Sequence, residues 1–151
     1  MLVWAYGVNT PRSGFRFWND TTGALGLVQD GSRTDIDFWV YVDPSDSSQW
    51  LVPEFGGDSM QLYADTAIAD LTSIDYAPLS GYTRQMYQAV PGYGYVFKRT
   101  YNGQVNYAGL RVTAVSHQYV IFDWSVQTDP GNPELAPPHG PTLTGKQVVS
   151  R

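Results

Sequence analysis

The sequence predicts an all-β domain, an antiparallel β-sandwich of short strands with a C-terminal meander and little helix. Three observations lead there. The charged share is 15%, against about 25% in ordinary globular chains. Eleven Tyr, five Trp and six Phe sit among many Gly, Ser, Thr and Asn, a mixture suited to pleated surfaces joined by tight corners. Apolar residues alternate with period two over short runs bounded by turn residues, where a helical bundle would show long runs at 3.6.

Taken in order, residues 2–6 form an apolar first strand, and short strands follow at 15–18 and 25–29, separated by Thr21-Thr22-Gly23. After Asp30-Gly31-Ser32, residues 35–42 alternate, with Ile36, Phe38, Val40 and Val42 on one side and Asp37, Trp39 and Tyr41 on the other. Asp43-Pro44-Ser45-Asp46 closes that strand, and further strands are expected at 49–52, 60–63 and 67–72, the last with a single helical turn as its alternative. Gly56-Gly57-Asp58 separates two of them. Residues 95–101 and 104–115 flank Asn102-Gly103, the pair best able to take positive φ at both centres of a two-residue hairpin. A corner at 116–118 leads to 119–126, where Val120, Phe122, Trp124 and Val126 share a face. Residues 95–126 therefore read as a three-stranded meander.

The domain is expected to span residues 1–128, with 1–10 as a possible terminal strand or arm. A proline-dense extended arm covers 129–151 and ends in the β-prone Gln147-Val148-Val149.

A net charge of −5, with nine scattered Lys and Arg, gives no basic footprint for nucleic acid and no attraction to anionic membranes. No apolar run approaches spanning length. The lack of cysteine removes disulfides, thiolate catalysis and Cys-based zinc sites. Residues 1–7 have neither a basic start nor a long apolar core, so they are not an intact signal peptide; the chain is either cytoplasmic or without its leader.

Several motifs together resemble the HmuY-like family of exported bacterial β-sandwich proteins, over about residues 15–128. They are Asp35-Ile36-Asp37-Phe38, Ile68-Ala69-Asp70-Leu71 with Asp75-Tyr76, and Gly81-Tyr82-Thr83. They continue in Tyr95-Val96-Phe97, in Tyr107-Ala108-Gly109-Leu110-Arg111-Val112-Thr113, and in Val120-Ile121-Phe122-Asp123-Trp124. The resemblance implies a sandwich fold, an extracellular or cell-surface location and, since the type members are haemophores, haem binding through His or Met. Imidazole and thioether both ligate haem iron, which makes Met86 and His117 the candidate pair here. A histidine at a tight corner is more often exposed, and a lone methionine more often fills a gap. His139, in Pro137-Pro138-His139-Gly140-Pro141, reads as a solvated arm residue.

Other chemistry is thinly represented. Asp35 and Asp37 share a strand face, yet paired carboxylates hydrolyse glycosides only at a defined separation across a cleft; solvated or turn-capping roles are commoner. Asp43 and Asp46 fall short of a calcium loop, and no serine sits in a nucleophile elbow. Asn19-Asp20-Thr21 fits the glycosylation pattern, which a bacterial origin would leave idle.

The expected function is that of a noncatalytic, cofactor-free module acting in protein–protein assembly, contacting copies of itself or another surface protein. The expected interface is Leu2, Val3, Trp4 and Tyr6 with Val148 and Val149 of the tail. Haem binding is one alternative. Carbohydrate binding by exposed members of Trp4, Trp18, Trp39, Trp50 and Trp124 is another.

Overall fold

A computed structural model describes residues 1–54 and 59–136 together with the backbone of 148–150. Its strands are β1 (Leu2–Trp4), β2 (Gly14–Trp18), β3 (Leu25–Gln29), β4 (Phe38–Val42), β5 (Gln49–Pro53), β6 (Ser59–Leu62), β7 (Tyr87–Gln88), β8 (Gly94–Tyr101), β9 (Gln104–Val115), β10 (Tyr119–Gln127) and β11 (Val148–Ser150), with short 3-10 turns at Thr10–Arg12 and Leu71–Ser73. All pairings between these strands are antiparallel. The first sheet runs β1-β10-β9-β8-β6, with β11 also on β10, and the second runs β3-β2-β4-β5-β7. The chain is an all-β sandwich.

The meander stands as its sequence dictates. Asn102 and Gly103 have φ of 51° and 76°, so the β8–β9 hairpin closes on a turn whose twist matches its strands. At the next corner Ser116 Oγ accepts from the backbone N–H groups of Gln118 and Tyr119, turning the chain into β10. Val120, Phe122, Trp124 and Val126 are all buried, across a register shift at Ile121 and Phe122.

Between the sheets lies an aromatic core. Phe15, Phe17 and Phe38 of the second sheet meet Phe97, Phe122 and Trp124 of the first, with Phe17–Phe97 at 5.1 Å, Phe15–Phe122 at 5.0 Å and Phe38–Phe97 at 5.2 Å between ring centres. The first pair is tilted, the second edge-on and the third stacked, and such pairs add about 0.5–1.5 kcal/mol each beyond the area they bury. Gly26 admits Trp124: its φ is +63°, and a Cβ there would lie 2.5 Å from the indole Cζ2.

Three expectations need correction. The strand expected at 35–42 begins at Phe38; the Asp37 backbone still donates to the Phe15 carbonyl at 2.8 Å and accepts from the Glu54 N–H at 3.1 Å, while its carboxylate accepts from the Phe17 N–H. Residues 67–72 form no strand, and the alternative expected there, a single helical turn, is present at Leu71–Ser73. Asp70 caps the 3-10 turn of 71–73 by accepting from the Ser73 N–H. The strand expected at 2–6 ends at Trp4, for a reason that concerns the site below.

Residues 129–136, part of the segment read as an arm, lie against the outer face of the first sheet. Leu135 is buried there with Ile74, Val96 and Tyr107. The Ala77 N–H donates to the Pro133 carbonyl and the Leu135 N–H to that of Asp75. The Gly56-Gly57-Asp58 turn, His139 and Gln147 lie outside the described residues.

Candidate functional site

The two outer faces of the sandwich differ. On the first sheet, Val96 and Tyr107 are covered by the long 63–86 connection and by residues 129–136, forming a second small core with Ile74, Ala77 and Leu135. On the second sheet, Phe38 and Val40 point inward, so alternation turns Trp39 and Tyr41 outward. Leu51 is likewise buried, which puts Trp50 and Val52 on the outer face. Trp50 stands opposite Tyr41 and Val52 opposite Trp39. None of these four is fully covered.

The N-terminal strand extends this face. Within two residues the chain passes between sheets: the Ala5 N–H donates to Gln118 of the first sheet and the Tyr6 N–H to Val40 of the second, at 2.7 and 2.8 Å. That crossing ends β1 and delivers the Tyr6 ring beside Trp39, with ring centres 5.5 Å apart and planes at 64°. Trp39 in turn meets Tyr41 edge-on at 6.2 Å. A row of aromatic rings thus crosses the outer surface from Tyr6 through Trp39 to Tyr41, with Trp50 beside it.

At the Tyr6 end the row opens into a cavity of about 340 Å³ lined by Tyr6, Gly31, Ser32, Thr34, Trp39 and Glu54. Ligand pockets of about 300–1,000 Å³, mostly apolar with a few placed polar groups, are the usual form of a small-molecule site. Gly31 is needed for its shape, since a Cβ there would collide with Ser13 Oγ and lie 3.1 Å from the Tyr6 ring. Ser32 donates its hydroxyl to Asp30 at 2.6 Å, which holds the Asp30 carboxyl below the usual carboxylate range. The Ser32 oxygen keeps its acceptor capacity. Glu54 is buried next to the end of β5 and is the single carboxylate lining the cavity among the described residues. Among the described residues no Lys or Arg lines it, and the Arg84 guanidinium donates to the Glu54 carbonyl at 2.9 Å.

Compared with protein-family models, curated proteins and solved structures, the chain matches none.

The residues singled out from the sequence scatter over this frame. Met86 is 45% exposed on the turn entering β7 at the edge of the second sheet. His117 is exposed at the β9–β10 corner of the first, in a depression shared with Val115, Ser116, Gln118 and Tyr119 but not with Met86. Leu2, Val3 and Trp4 pair with Ile121, Val120 and Tyr119 of their own chain, and Val3 is fully buried in its own core. Tyr6 is 42% exposed at the cavity. Val148 and Val149 pair by backbone with Gln127 and Val126. Of the tryptophans, Trp124 belongs to the core, whereas Trp4, Trp18, Trp39 and Trp50 are half-buried.

The carboxylates are occupied in several ways. Asp35 and Asp37 both reach one cluster of side chains: Asp35 lies 3.6 Å from Arg16, Asp37 pairs with Arg99, and both arginines stand over the Tyr101 ring. Asp35 takes both nitrogens of a bidentate Arg33 at 2.7 Å, which lowers its pKa. Asp37 is fully buried, accepting from Arg99 Nε at 2.8 Å and the Phe17 N–H at 2.7 Å. Arg99 continues the inward row of Tyr95 and Phe97 along β8 and also donates to the Trp18 carbonyl at 2.7 Å. The pair closes one end of the core and ties the sheets together. Asp43 and Asp46 each cap their own turn, accepting from Ser45 and Ser48. The Asn19 side chain does the same for Thr21 and Thr22. Among the described residues no group of three His, Asp or Glu is placed to hold a metal ion, and no helix is long and apolar enough to cross a membrane.

Proposed function

We propose that this chain is a noncatalytic binding module of an exported or cell-surface protein, and that its ligand seats on the outer face of the second sheet at the Tyr6–Trp39 cavity. The observation that carries this reading is the contrast between the two faces. One is covered by the chain's own connection, while the other presents a row of aromatic rings leading into a cavity with hydroxyl and carboxylate groups. Half-exposed Tyr and Trp give large, stiff contact area at low entropic cost, which is why such rings concentrate where proteins bind. The exported setting rests on the resemblance of the strand motifs to the HmuY-like family.

The test is tryptophan emission of the intact protein titrated with neutral oligosaccharides, choline and short aromatic peptides, beside Trp39→Ala and the distant Trp18→Phe. A saturable change in wild type and Trp18→Phe that disappears in Trp39→Ala is the expected result. A response that survives in Trp39→Ala, or no response to any probe, contradicts the reading.

Assembly through terminal strands is a second reading, favoured by one observation. The outer edge of β10 is covered in two pieces by the chain's own ends, β1 along residues 119–121 and β11 along 125–127. Short terminal strands at a sheet edge are the elements that copies of a chain exchange most readily. Light scattering of the full chain against one ending at Ala136 separates the cases. An assembly that falls to monomers on truncation supports exchange, and unchanged mass rejects it.

A further inference from the structure

We infer that the partner of the Tyr6–Trp39 face is the proline-rich segment Pro137-Pro138-His139-Gly140-Pro141 of a second copy of this chain, laid along the row from Tyr6 through Trp39 to Tyr41. The inference rests on the binding reading above and names the partner.

The face offers what a proline-rich chain needs. Polyproline II has three residues per turn, advances about 9 Å per turn and makes no internal hydrogen bonds. Its site therefore needs aromatic rings for the pyrrolidines and donors for the open carbonyls. Tyr6, Trp39 and Tyr41 give the rings, in steps of 5.5 and 6.2 Å between centres and with planes at 64° and 85°. Rings so steeply inclined leave clefts between them, and two such steps accommodate about one turn of the ligand. The donors are present too. The Trp39 indole N–H and the Tyr6 and Tyr41 hydroxyls have no partner among the described residues, whereas the Trp50 N–H donates to Ser48 Oγ at 2.8 Å. Proline rings carry no charge and their carbonyls only accept, so the arrangement asks nothing of the Glu54 carboxylate, which is engaged within its own chain.

The chain itself carries the matching segment. Pro130-Gly131-Asn132-Pro133 and Pro138-His139-Gly140-Pro141 both place proline at i and i+3, positions that polyproline II puts on one side. The first is held by its own domain: the Pro133 carbonyl accepts from the Ala77 N–H, and the Gly131 N–H donates to the Val105 carbonyl, both at 2.7 Å. The second is left for a partner. Charge agrees, since residues 137–147 contain Lys146 and no Asp or Glu, while the loop at the Tyr41 end of the row carries Asp43 and Asp46. Length assigns the contact to a second copy. Ala136 is buried on the outer face of the first sheet and Val148 pairs with Gln127 of β10, so residues 137–147 are tethered to that sheet at both ends. Fully extended they span about 40 Å out and back, a reach of roughly 20 Å. Trp39 lies on the opposite face, across a sheet spacing of about 10 Å and two strand spacings of about 5 Å in from the β3 edge, with side-chain height still to be added. That path exceeds the reach within one domain, and a neighbouring copy has no such limit.

The experiment is light scattering of the full chain over a concentration series, beside the double variant Pro138→Ala with Pro141→Ala, the single variant Trp39→Ala, and an equimolar mixture of the two. Wild type should associate as concentration rises, and each variant alone should stay monomeric over the same range. The mixture should form pairs, because one variant keeps the segment and the other keeps the row. A synthetic peptide of residues 134–144 should also change the tryptophan emission of the double proline variant saturably, and replacing both prolines in the peptide should weaken it about tenfold or more. That titration keeps the test intact if Trp39→Ala fails to fold. The proline variant retains β11, so it separates docking from strand exchange. A proline variant that associates as wild type does, while a chain ending at Ala136 does not, would overturn the inference, as would a wild type that stays monomeric throughout. Choline, a sugar or an aromatic peptide binding at Trp39 with the proline peptide silent would overturn the partner and leave the binding reading standing. Silence from every probe would overturn both.

Discussion

Removing the Asp37 carboxylate should be among the most damaging single changes to the fold, and its cost follows from the surroundings. Asp37 is 0% exposed and Arg99 1%, with Nε and Oδ1 2.8 Å apart. Asp37→Ala strands a guanidinium held against the Trp18 carbonyl and the Tyr101 ring, and also strips the Phe17 N–H of its acceptor. Breaking a buried pair on one side costs about 3–5 kcal/mol, because the remaining charge is left without compensation. Against a total stability of about 5–15 kcal/mol this is a large fraction. Arg99→Met should fall in the same range. The double variant removes both charges and so should cost less than the sum of the singles, with a coupling of roughly 2–3 kcal/mol. Arg33→Ala is the internal control. Its pair with Asp35 has ideal bidentate geometry but faces water, and the urea midpoint should hardly move. Urea titrations at pH 7 followed by tryptophan emission measure all four. Single variants costing under about 1 kcal/mol, or a double variant equal to the sum within about 0.5 kcal/mol, would refute the argument that this pair closes the core.

Other outcomes follow from the same geometry. Gly26→Ala should destabilise by about 2–4 kcal/mol, since it adds a left-handed penalty to a clash with Trp124, and its urea midpoint should fall accordingly. Gly31→Ala should push Ser13 and the Tyr6 ring apart and reduce ligand affinity at the cavity while Trp39 keeps its strand position, which indole N–H shifts would report. Alkaline pH should destabilise the protein through its buried tyrosines. Burial raises Tyr95 to about 12 and raises Tyr82 also, so the folded state holds these protons more tightly than the unfolded chain. Their contribution is complete below the ordinary tyrosine pKa near 10 and is lost as pH rises from there through the folded value. Urea midpoints falling above pH 10, and falling less steeply in Tyr82→Phe, are the expected pattern; a flat profile from pH 9 to 12 would contradict it.

The meander was legible because two local signals agree: alternation along 95–101 and 104–115, and Asn102-Gly103 at a place that demands positive φ. The strand at 25–29 was legible for similar reasons, bounded by Gly23 and by Asp30-Gly31. Where local signals conflict, reading fails. Asp37 continues the alternation of 36–42 on the side of Trp39 and Tyr41, yet its carboxylate is fully buried against a distant arginine and a backbone N–H of β2. Arg99 follows Tyr95 and Phe97 in step, and nothing local says that a charged residue at that step turns inward. The 3-10 turn at 71–73 did leave a signal, the aspartate just before it. β7 is two residues long, too short for periodicity to show. The candidate site was least legible. Tyr6, Trp39 and Glu54 lie far apart in the chain, and their meeting depends on the crossing between sheets at Ala5 and Tyr6. Trp39 could be read as outward-facing from alternation alone, but its neighbours could not.

The most direct test of the central claim is amide and indole NMR mapping of the intact protein with the tightest-binding probe of the tryptophan-emission titration. The account predicts perturbations confined to Tyr6, Gly31, Ser32, Thr34, Trp39, Tyr41, Trp50 and Glu54, with the first sheet unmoved. Perturbations centred on the β9–β10 corner or on the β10 edge, with the Trp39 indole unshifted, would contradict it.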